Sequence, residues 1–422
     1  MENVLAILLA GGAGERLYPL TRDRAKPAVC FGGNYRIIDI TLSNCINSGL
    51  RRQLILTQYK ALSLNRHIRL GWNILSNELG EFIEIIPPTK RVSDDWYRGT
   101  ADAIYQNLHT IVQEGPEHVL VLAADHIYKM NYAPMLEQHR RSGADITVAT
   151  ILEKPEETQR FGVAELESDG RFVGFEEKPK VPRRRSPYNP DYVSASMGIY
   201  VFNTATLVRM LRDDALDETS SHDFGKNIIP KAIHESKVYS FNFVDENQKE
   251  ALYWRDVGTL DAYYEANMDL VSVSPVFNMY DRHWPIRTRQ EQHPPAKFVF
   301  AQEGGPHEGR RMGVALDSIV SPGCIVSGGR VTNSVLSPNV RINSYSEVDS
   351  SILFWNVVVG RRSRIRRAII DRDVEIPENT EIGFNHDLDR SRGYIVTENG
   401  ITVVPSPVQT LEGAEELGYR AE

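Results

Sequence analysis

Short apolar runs alternate with polar, helix-like segments over the first part of the chain. Val4–Ala10 is a run of seven apolar residues, and Leu54–Thr57 and Val119–Ala124 are shorter runs that are rich in aliphatic residues. Runs of this length are typical of buried strands and are too short to cross a membrane. The alternation up to about residue 150 therefore predicts a layered α/β sheet.

Two threonines stand where helices are expected to begin. Thr100 is predicted to cap a helix that carries Ile104, Leu108 and Ile111 on one face, and the Gly115-Pro116 pair is predicted to end it. Thr259 is predicted to cap a later helix in the same way. Helices therefore alternate with the predicted strands.

The pattern changes to a hairpin in the middle of the chain. Asp169-Gly170 separates the segments VAELE and RFVGF, and this turn signal predicts a hairpin from Gly162 to Phe175. A further strand is predicted over Met197–Phe202. Residues 272 to about 312 are rich in Pro, Gly and His and are predicted to form a connecting segment.

An internal repeat with a period of seventeen residues follows. Twelve aliphatic residues recur with a 6-6-5 spacing, namely Ile319, Ile325, Val331, Leu336, Ile342, Val348, Leu353, Val359, Ile365, Ile370, Ile376 and Ile382. Neither a helix nor a single alternating strand produces this spacing, whereas a coil of three short strands does. The repeat predicts a parallel β-helix of about four coils, and the tail after Phe384, including Gly393–Val404, is expected to cover its open end.

Composition narrows the class of protein. The 422 residues are enough for two domains, and 41% apolar and 25% charged residues are ordinary values for a globular protein. The net charge of −8 argues against a nucleic-acid partner. Cys30, Cys45 and Cys324 form neither a disulfide framework nor a metal-binding pair, which suits a reducing compartment. Glu2 stands where a signal peptide needs a basic residue, so we expect a cytoplasmic protein without a membrane segment.

A glycine turn follows the first strand. Gly11-Gly12-Ala13-Gly14 lets backbone N–H groups approach an anion, and Arg16 and Lys26 add two cations. This combination predicts a site for a polyphosphate, most simply a nucleotide. The alternative is a tight strand-to-helix turn without a ligand, because the sequence is neither a Walker loop nor a G-x-G-x-x-G motif.

Two aspartates are candidates for a metal site. Asp125 comes directly after the strand segment VLVLAA, and Asp256 lies in YWRDVGT just before a predicted helix. Ligands of open α/β sheets bind beyond the carboxyl ends of strands, and two carboxylates plus substrate phosphates are a usual way to hold Mg²⁺. The alternative is that each aspartate caps the turn that follows it.

Other residues point to a sugar phosphate and a nucleotide. Lys178, with Glu177 beside it, follows the hairpin and is suited to a phosphate monoester, although an exposed lysine without a ligand is the more frequent case. Small residues at 99–102 follow Tyr97 and would let a base or sugar approach closely. The sequence has no zinc-binding histidine pair and no Gly-x-Ser-x-Gly nucleophile motif.

Ten motifs occur in one order along nearly the whole chain. They are AGGAGERL, RAKPAV, RIIDITLSNCINSG, WYRGTADAIYQN, DHIYKM, EEKP, ASMGIYVF, SSHDFGKNIIP, YWRDVGT and PPAKF. Taken together, they resemble the bacterial glucose-1-phosphate adenylyltransferases (ADP-glucose pyrophosphorylases), within the sugar-nucleotide pyrophosphorylases. The phrases YWRDVGT, SSHDFGK and RAKPAV narrow the resemblance to this family.

The resemblance implies a fold and a quaternary structure. It implies an α/β, Rossmann-like nucleotidyltransferase domain over 1–271, a connecting segment over 272–312, and a short left-handed β-helix domain with a C-terminal tail over 313–422. The β-helix agrees with the repeat described above. The resemblance also implies a homotetramer that supplies the glucosyl donor for glycogen and responds to small-molecule effectors.

The resemblance also implies a reaction and its residues. ATP and α-D-glucose 1-phosphate would give ADP-glucose and diphosphate with Mg²⁺, with Arg16 and Lys26 on the triphosphate, Asp125 and Asp256 on the metal, and Lys178 on glucose 1-phosphate. The implied ATP contacts are Leu9, Ala10, Gly11, Gly12, Gly14, Tyr97, Gly99 and Thr100. The implied glucose 1-phosphate contacts are Tyr97, Gly162, Glu177, Lys178, Ser196 and Asp256.

Three positions depart from the family pattern. Ala124 replaces the glycine of LAGDH, and Lys90 stands where relatives commonly have a glutamine for adenine. Asp23 replaces the lysine that binds fructose 1,6-bisphosphate in many enteric relatives. Arg24 and Arg36 are left as candidate effector contacts, so we expect an activator other than fructose 1,6-bisphosphate, or weak activation by it.

Three alternatives to this function follow from the same residues. The first is a pyrophosphorylase that uses UTP, dTTP or GTP. The second is a non-catalytic regulatory subunit of the same fold, which would be expected to have lost Lys26, Asp125 or Asp256, whereas all three are present. The third is an acyltransferase built on the β-helix, which the lack of a positioned histidine in the coils disfavours.

Overall fold

The computed structural model describes residues 3–88, 96–247, 252–302 and 311–407. Lys90 lies outside the described residues, so the expectation about adenine recognition at this position stays a prediction. Among the described residues, every helix is too short or too polar to span a bilayer.

A large mixed sheet forms the first part of the molecule. The strands that precede residue 257 are β1 (Val4–Ala10), β2 (Cys30–Phe31), β3 (Tyr35–Arg36), β4 (Arg52–Thr57), β5 (Phe82–Ile86), β6 (His118–Ala123), β7 (His126–Tyr128), β8 (Ile146–Glu153), β9 (Gly162–Leu166), β10 (Phe172–Glu177), β11 (Val193–Asn203), β12 (Val238–Asn242) and β13 (Trp254–Asp256). The sheet order is β10-β9-β11-β6-β1-β4-β5, with β8 beside β11 and β12 beside β8.

Helices cover this sheet. They are α1 (Ile37–Asn47), α2 (Leu62–Gly71), α3 (Thr100–Tyr105), α4 (Leu108–Glu114), α5 (Ala133–Ser142), α6 (Thr204–Ala215), α7 (Ile229–Glu235) and α8 (Leu260–Asp269). The central strand β1 is parallel to β4 and β6 on its two sides. Leu8 packs in one buried cluster with Leu42 of α1, and Ile7 packs in another with Ile104 of α3. Because β1 is buried on both faces, it is a continuous apolar run.

The structure confirms most of the predicted elements here and corrects one. Thr259 caps α8 by accepting a hydrogen bond from Ala262 N (3.2 Å), and the hairpin forms with Gly170 at φ 83°. Thr100, however, is not a cap: Gly99 occupies the N-cap position, and Thr100 is the first helical residue. The predicted single helix is also two helices, α3 and α4.

The predicted strand over Met197–Phe202 is part of a longer one. Strand β11 begins at Val193, and its pairing with β8 shifts register between Ser196 and Tyr200. Gly198 lies in this irregular stretch with φ 70°, a conformation that glycine adopts without steric cost. The bulge interrupts the alternation of side chains between the two faces of β11, but both halves of the strand stay in the sheet.

The last part of the chain winds into stacked coils. Its strands are β14 (Lys297–Val299), β15 (Ala301–Gln302), β16 (Arg311–Met312), β17 (Val314–Leu316), β18 (Ile319–Val320), β19 (Ile325–Ser327), β20 (Arg330–Thr332), β21 (Val335–Leu336), β22 (Arg341–Ile342), β23 (Glu347–Asp349), β24 (Ile352–Leu353), β25 (Val358–Val359), β26 (Arg364–Arg366), β27 (Ala368–Ile370), β28 (Glu375–Ile376), β29 (Glu381–Ile382), β30 (Ile395–Val396) and β31 (Thr402–Val404), with helix α9 (His386–Ser391) before β30. Three parallel sheets form its faces, in the orders β14-β19-β22-β25-β28, β17-β20-β23-β26-β29 and β18-β21-β24-β27-β31.

The coils follow the predicted period except in the first one. Leu336 lies opposite Leu353, seventeen residues on, but Val320 rather than Ile319 lies opposite Leu336. Likewise Val326, which is fully buried, lies opposite Ile342, so the prediction of Ile319 and Ile325 as inward residues is wrong by one position.

The corners of the coils share one backbone conformation. Residues Asn333, Asn339, Tyr345, Ser350, Asn356, Arg362, Arg367, Asp373 and Asn379 have φ between 44° and 64° and repeat with the 6-6-5 spacing. Asn and Asp tolerate this left-handed region better than most residues. At the far end, β31 pairs with β27, so the tail covers this end of the coil stack as predicted.

The segment predicted as a connection packs against α1. Three buried polar side chains of α1 and the half-buried Asn47 bond to it: Trp284 Nε1 donates to Asn44 Oδ1 (2.8 Å), Thr288 Oγ1 to Asp39 Oδ2 (2.6 Å), Arg287 N to Ser43 Oγ (2.8 Å), and Asn47 Nδ2 to Pro285 O (3.0 Å). Buried polar groups are costly unless they are paired, so these bonds fix the path of the segment.

A buried ion pair joins the coils to the first part of the molecule. Arg24 Nη2 lies 2.7 Å from Oδ1 and 2.8 Å from Oδ2 of Asp371, and both side chains are almost completely buried. Tyr263 of α8 and Phe354 of the coils belong to the same apolar cluster around this pair. The two parts therefore share a core.

Candidate active site

A cavity of about 550 Å³ opens at the carboxyl ends of β1 and β6. Most of the predicted site residues line it, namely Leu9, Gly11, Gly12, Arg16, Tyr97, Gly99, Thr100, Asp125, Gly162, Glu177, Lys178, Ser196 and Asp256. Ala10, Gly14, Lys26, Arg24 and Arg36 do not line it. The cavity lies where ligands of open α/β sheets bind.

The glycines after β1 have different roles. A Cβ atom at Gly12 would meet no atom within 4 Å, so the backbone there faces open space in the cavity. Gly14 has φ 67°, and a Cβ there would lie 3.0 Å from Lys26 Cβ and from Thr21 Cγ2. Gly14 therefore turns the chain toward Lys26, whereas Gly12 leaves room for a ligand.

A two-stranded pairing brings the predicted aspartates together. Strand β13 runs antiparallel to β7, with Asp256 opposite His126, the residue that follows Asp125. One ligand atom of each of Asp125, His126 and Asp256 lies within 4.8 Å of the others. The two carboxylates therefore meet at one point although they are far apart in sequence.

Lys26 lies between the two carboxylates. Its Nζ donates to Oδ2 of Asp125 at 2.7 Å and to Oδ1 of Asp256 at 3.3 Å, and the lysine side chain is 10% exposed. Burial disfavours the ammonium, but the two carboxylates outweigh burial and raise the pKa of Lys26. Burial likewise opposes the charge of Asp125, but Lys26 and His126 outweigh it and lower the pKa of that carboxyl. Lys26 and Asp125 are therefore both charged at neutral pH.

The donor set suits a hard divalent cation. Lys26 contacts one oxygen of each carboxylate, which leaves Oδ1 of Asp125 and Oδ2 of Asp256 as oxygen donors at the cavity wall. Mg²⁺ is usually held by one or two carboxylates together with substrate phosphates. The residues present therefore fit such an ion.

Arg16 approaches Asp256 from the glycine loop. A Cβ placed on Gly258 would lie 3.0 Å from Arg16 Nη2 and 3.0 Å from Asp256 Oδ2. The missing side chain at Gly258 thus leaves space for the guanidinium and the carboxylate to stand side by side. Two cations, Arg16 and Lys26, flank the pair of aspartates.

Three of the predicted sugar residues, Gly162, Glu177 and Ser196, lie on the neighbouring strands β9, β10 and β11, and Lys178 directly follows β10. Glu177 pairs with Gly162 across the hairpin, and a Cβ on Gly162 or on Gly225 would lie 3.0 Å from Glu177 Oε2. Ser196 Oγ accepts a hydrogen bond from Gly198 N (3.3 Å) in the bulge of β11. Lys178 has φ 51°, which is uncommon for a residue other than glycine and is typical of functional loops.

The predicted nucleotide residues hold a neighbouring loop in place. Tyr97 is buried, its hydroxyl accepts a hydrogen bond from Asn107 Nδ2 (3.0 Å), and burial raises the pKa of its phenol. Thr100 Oγ1 donates to Asp223 Oδ2 at 3.1 Å. A Cβ on Gly99 would collide with the carbonyl groups of Ser221 and His222, so only glycine permits this close contact.

Sequence reasoning missed several residues that line the cavity. His126 packs edge-on against Trp254 (4.9 Å between ring centroids), and Trp254 packs against Phe161 (5.2 Å), so three aromatic rings form a wall beside Asp125. Gln58 and Arg160 also line the cavity. His126, within the motif DHIYKM, and Trp254, within YWRDVGT, carried a signal that could have identified them.

The two predicted effector residues lie away from the cavity. Arg24 is bound to Asp371, as described above. Arg36 donates from Nη1 to Ser63 O (3.2 Å), its Nε has no hydrogen-bond partner among the residues that the structure describes, and burial lowers the pKa of its guanidinium. An effector role for these residues stays a prediction.

Two family models match this chain. A family model described as nucleotidyl transferase matches residues 5–273, and one described as GlmU-like, C-terminal hexapeptide matches residues 294–404. The second match and the three parallel sheets agree with a left-handed β-helix.

Curated relatives match over nearly the full length. A protein from Koribacter versatilis (strain Ellin345), named glucose-1-phosphate adenylyltransferase, is 66% identical over 99% of both chains. A protein of the same name from Rhodopirellula baltica is 57% identical over 97% of this chain and 93% of the relative, and one from Shewanella sp. (strain ANA-3) is 52% identical over 96% and 94%. The chain therefore belongs to the glucose-1-phosphate adenylyltransferase family of nucleotidyltransferases.

Proposed function

We propose that this protein joins ATP and α-D-glucose 1-phosphate to form ADP-glucose and diphosphate. The observation that carries the proposal is the contact of Lys26 with both Asp125 and Asp256 at the wall of a cavity that also contains the predicted sugar residues. Such a cluster of opposite charges suits the transfer of an adenylyl group from one phosphorylated substrate to another.

The proposed chemistry is one in-line displacement. A phosphate oxygen of glucose 1-phosphate attacks the α-phosphorus of ATP, a new P–O bond forms, and the bond between the α-phosphorus and the bridging oxygen to the β-phosphorus breaks. The electron pair leaves with diphosphate. No proton has to move in this displacement, so the protein acts by positioning its substrates and by neutralising charge.

Each group of residues has one task in this scheme. We assign the triphosphate and the departing diphosphate to Arg16 and Lys26, and the phosphate of glucose 1-phosphate to Lys178. Glu177 and Ser196 hold the sugar, and Tyr97 lies on the nucleotide side. Asp125 and Asp256 would hold Mg²⁺, which neutralises the charge of the phosphates when it is bound.

The alternatives named above differ in the nucleotide or in the loss of catalysis. The test is to incubate the protein with glucose 1-phosphate, Mg²⁺ and each of ATP, UTP, dTTP and GTP, and to measure the diphosphate released. We expect ATP to give the largest kcat/KM, and the product to be ADP-glucose. Preference for another nucleotide would replace the proposal by a different pyrophosphorylase, and no release with any nucleotide would favour a regulatory subunit.

Replacing Lys178 with alanine is expected to raise KM for glucose 1-phosphate about tenfold or more and to change KM for ATP much less. The reason is that a charged hydrogen bond to the sugar phosphate is lost. Steady-state kinetics with each substrate varied in turn measure both constants. Lys180→Ala is the matched control, because Lys180 is equally exposed on the same loop and does not line the cavity. An equal change in both KM values would remove Lys178 from the sugar phosphate.

The domain boundaries, the oligomeric state and the effectors belong to the proposal as well. We propose a homotetramer with a catalytic domain over 1–271, a connection over 272–312, and the β-helix with its tail over 313–422.

Asp23 lies 2.9 Å from Arg22 at the surface and would repel an anionic activator. We therefore expect fructose 1,6-bisphosphate to raise kcat/KM less than about twofold, a value that an assay with and without the effector measures; strong stimulation would contradict this expectation.

A further inference from the structure

A second cavity adjoins the first one behind the predicted sugar residues. Its volume is about 470 Å³, and it shares six lining residues with the larger cavity, namely Arg16, Arg160, Phe161, Lys178, Trp254 and Asp256. The two spaces therefore meet at Lys178, the predicted partner of the sugar phosphate. Arg160 is the additional cation at this junction that neither the motifs nor the resemblance pointed to.

The backbone places Arg160 close to Lys178. Arg160 is the last residue of a short 3₁₀ turn (Pro155–Arg160), and the next residue, Phe161, accepts a hydrogen bond on its carbonyl oxygen from Lys178 N at 3.1 Å. The following pair, Gly162 and Glu177, begins the hairpin. Arg160 thus lies just before β9 and Lys178 just after β10, at the ends of two paired strands.

Neither cation is committed to a buried partner. Arg160 Nη1 lies 2.8 Å from Glu157 Oε2, with side chains that are 60% and 46% exposed. Lys178 Nζ lies 3.5 Å from Glu177 Oε1, and the lysine side chain is 55% exposed. Exposed ion pairs of this kind contribute little free energy, so each cation can turn to a stronger anion at low cost.

We propose that Arg160 is a second binding residue for the phosphate of glucose 1-phosphate, so that this group lies between Arg160 and Lys178. The proposal rests on the function proposed above. A phosphate monoester carries close to two negative charges at neutral pH, and a guanidinium binds it with two parallel hydrogen bonds where an ammonium binds it as a point charge. Two cations match the dianion, and the guanidinium fixes its orientation toward the α-phosphorus of ATP.

The test compares Arg160→Gln and Arg160→Lys with the parent protein. We expect Arg160→Gln to raise KM for glucose 1-phosphate about tenfold and to leave KM for ATP within twofold, and Arg160→Lys to fall between the parent and the glutamine variant. Arg183→Gln is the matched control, because Arg183 pairs with Glu176 at the surface (2.9 Å) and does not line either cavity. We expect this control to behave like the parent.

A binding measurement separates this proposal from the proposed function. Glucose 1-phosphate is titrated calorimetrically into the protein with Mg²⁺ and an ATP analogue whose α,β-bridge is a methylene group, so that no turnover is needed. Binding of glucose 1-phosphate that is about tenfold weaker in Arg160→Gln than in the parent supports the role of Arg160. If the parent also released no diphosphate in the nucleotide assay, that second result would overturn only the proposed function. A Kd within twofold of the parent, or an equal rise in KM for both substrates, would overturn the role of Arg160.

Discussion

Replacing Asp125 with asparagine is expected to lower kcat about a thousandfold and to leave the fold intact. The substitution keeps the size of the side chain but removes the negative charge that pairs with Lys26. It also removes one of the two carboxylates at the cavity wall. Loss of charge stabilisation at a reacting phosphate costs several kcal/mol, and each 1.4 kcal/mol is about tenfold in rate. Steady-state turnover with ATP and glucose 1-phosphate measures the effect.

The control for this variant is an aspartate that lies far from the cavity. Asp387 in helix α9 has a side chain that is 97% exposed, and Asp387→Asn is expected to keep the turnover of the parent. Circular dichroism and the urea midpoint check that both variants fold. Near-normal kcat in Asp125→Asn would exclude this residue from the reacting centre.

Replacing Asp371 with alanine is expected to lower the free energy of unfolding by about 3–5 kcal/mol. The substitution leaves the guanidinium of Arg24 buried between the coils and the first part of the molecule without its partner. Burial disfavours the charged form of Arg24. The attraction of the Asp371 carboxylate outweighs this effect of burial and raises the pKa of the arginine in the folded protein. Urea denaturation, followed at the midpoint and slope, measures the loss.

Two comparisons make the result specific to the buried pair. Glu381→Ala removes an exposed partner of Arg364 (2.9 Å), with side chains that are 47% and 52% exposed, and is expected to cost less than about 1 kcal/mol. The double variant Arg24→Leu with Asp371→Leu is expected to recover most of the stability, because no unpaired charge stays buried. Equal losses for Asp371→Ala and Glu381→Ala would show that the pair does not stabilise the contact between the two parts.

The strands and the charged residues of the site were predictable because each has a local signal. Val4–Ala10 is apolar throughout because both of its faces are buried, and Asp125 lies two residues after β6, a strand of the same kind. The pairing of β7 with β13 had no such signal. Both strands have three residues, too few for a period. The sequence therefore offered Asp125 and Asp256 as candidate metal ligands by their positions after a strand and before a helix, but it did not predict the strand pairing that brings them together.

The errors in the β-helix and at Thr100 have simple physical reasons. In the first coil two adjacent residues, Ile319 and Val320, are both aliphatic, so the spacing alone cannot decide which one faces inward. At the start of α3, Thr100 is a good capping residue by type. Its hydroxyl instead bonds to Asp223, a tertiary contact that lies far away in the sequence.

The buried polar face of α1 was also beyond the sequence pattern. Asp39 accepts hydrogen bonds from Trp72 Nε1 (2.8 Å) and Thr288 Oγ1 (2.6 Å), although an aspartate inside an apolar run looks like an exposed position. Trp72 directly follows α2, and Thr288 lies in the segment predicted as a connection. The polar residues of the motif RIIDITLSNCINSG therefore bind the connecting segment. No local sequence rule indicates this contact.

We infer that Asp125 and Asp256 together hold a divalent cation on the phosphates of the nucleotide. Electron paramagnetic resonance of Mn²⁺, titrated into the protein with the methylene analogue of ATP, measures this binding without turnover. We predict one tightly bound ion per chain in the parent, and at least tenfold weaker binding in both Asp125→Asn and Asp256→Asn. Unchanged Mn²⁺ affinity in both variants would contradict the account.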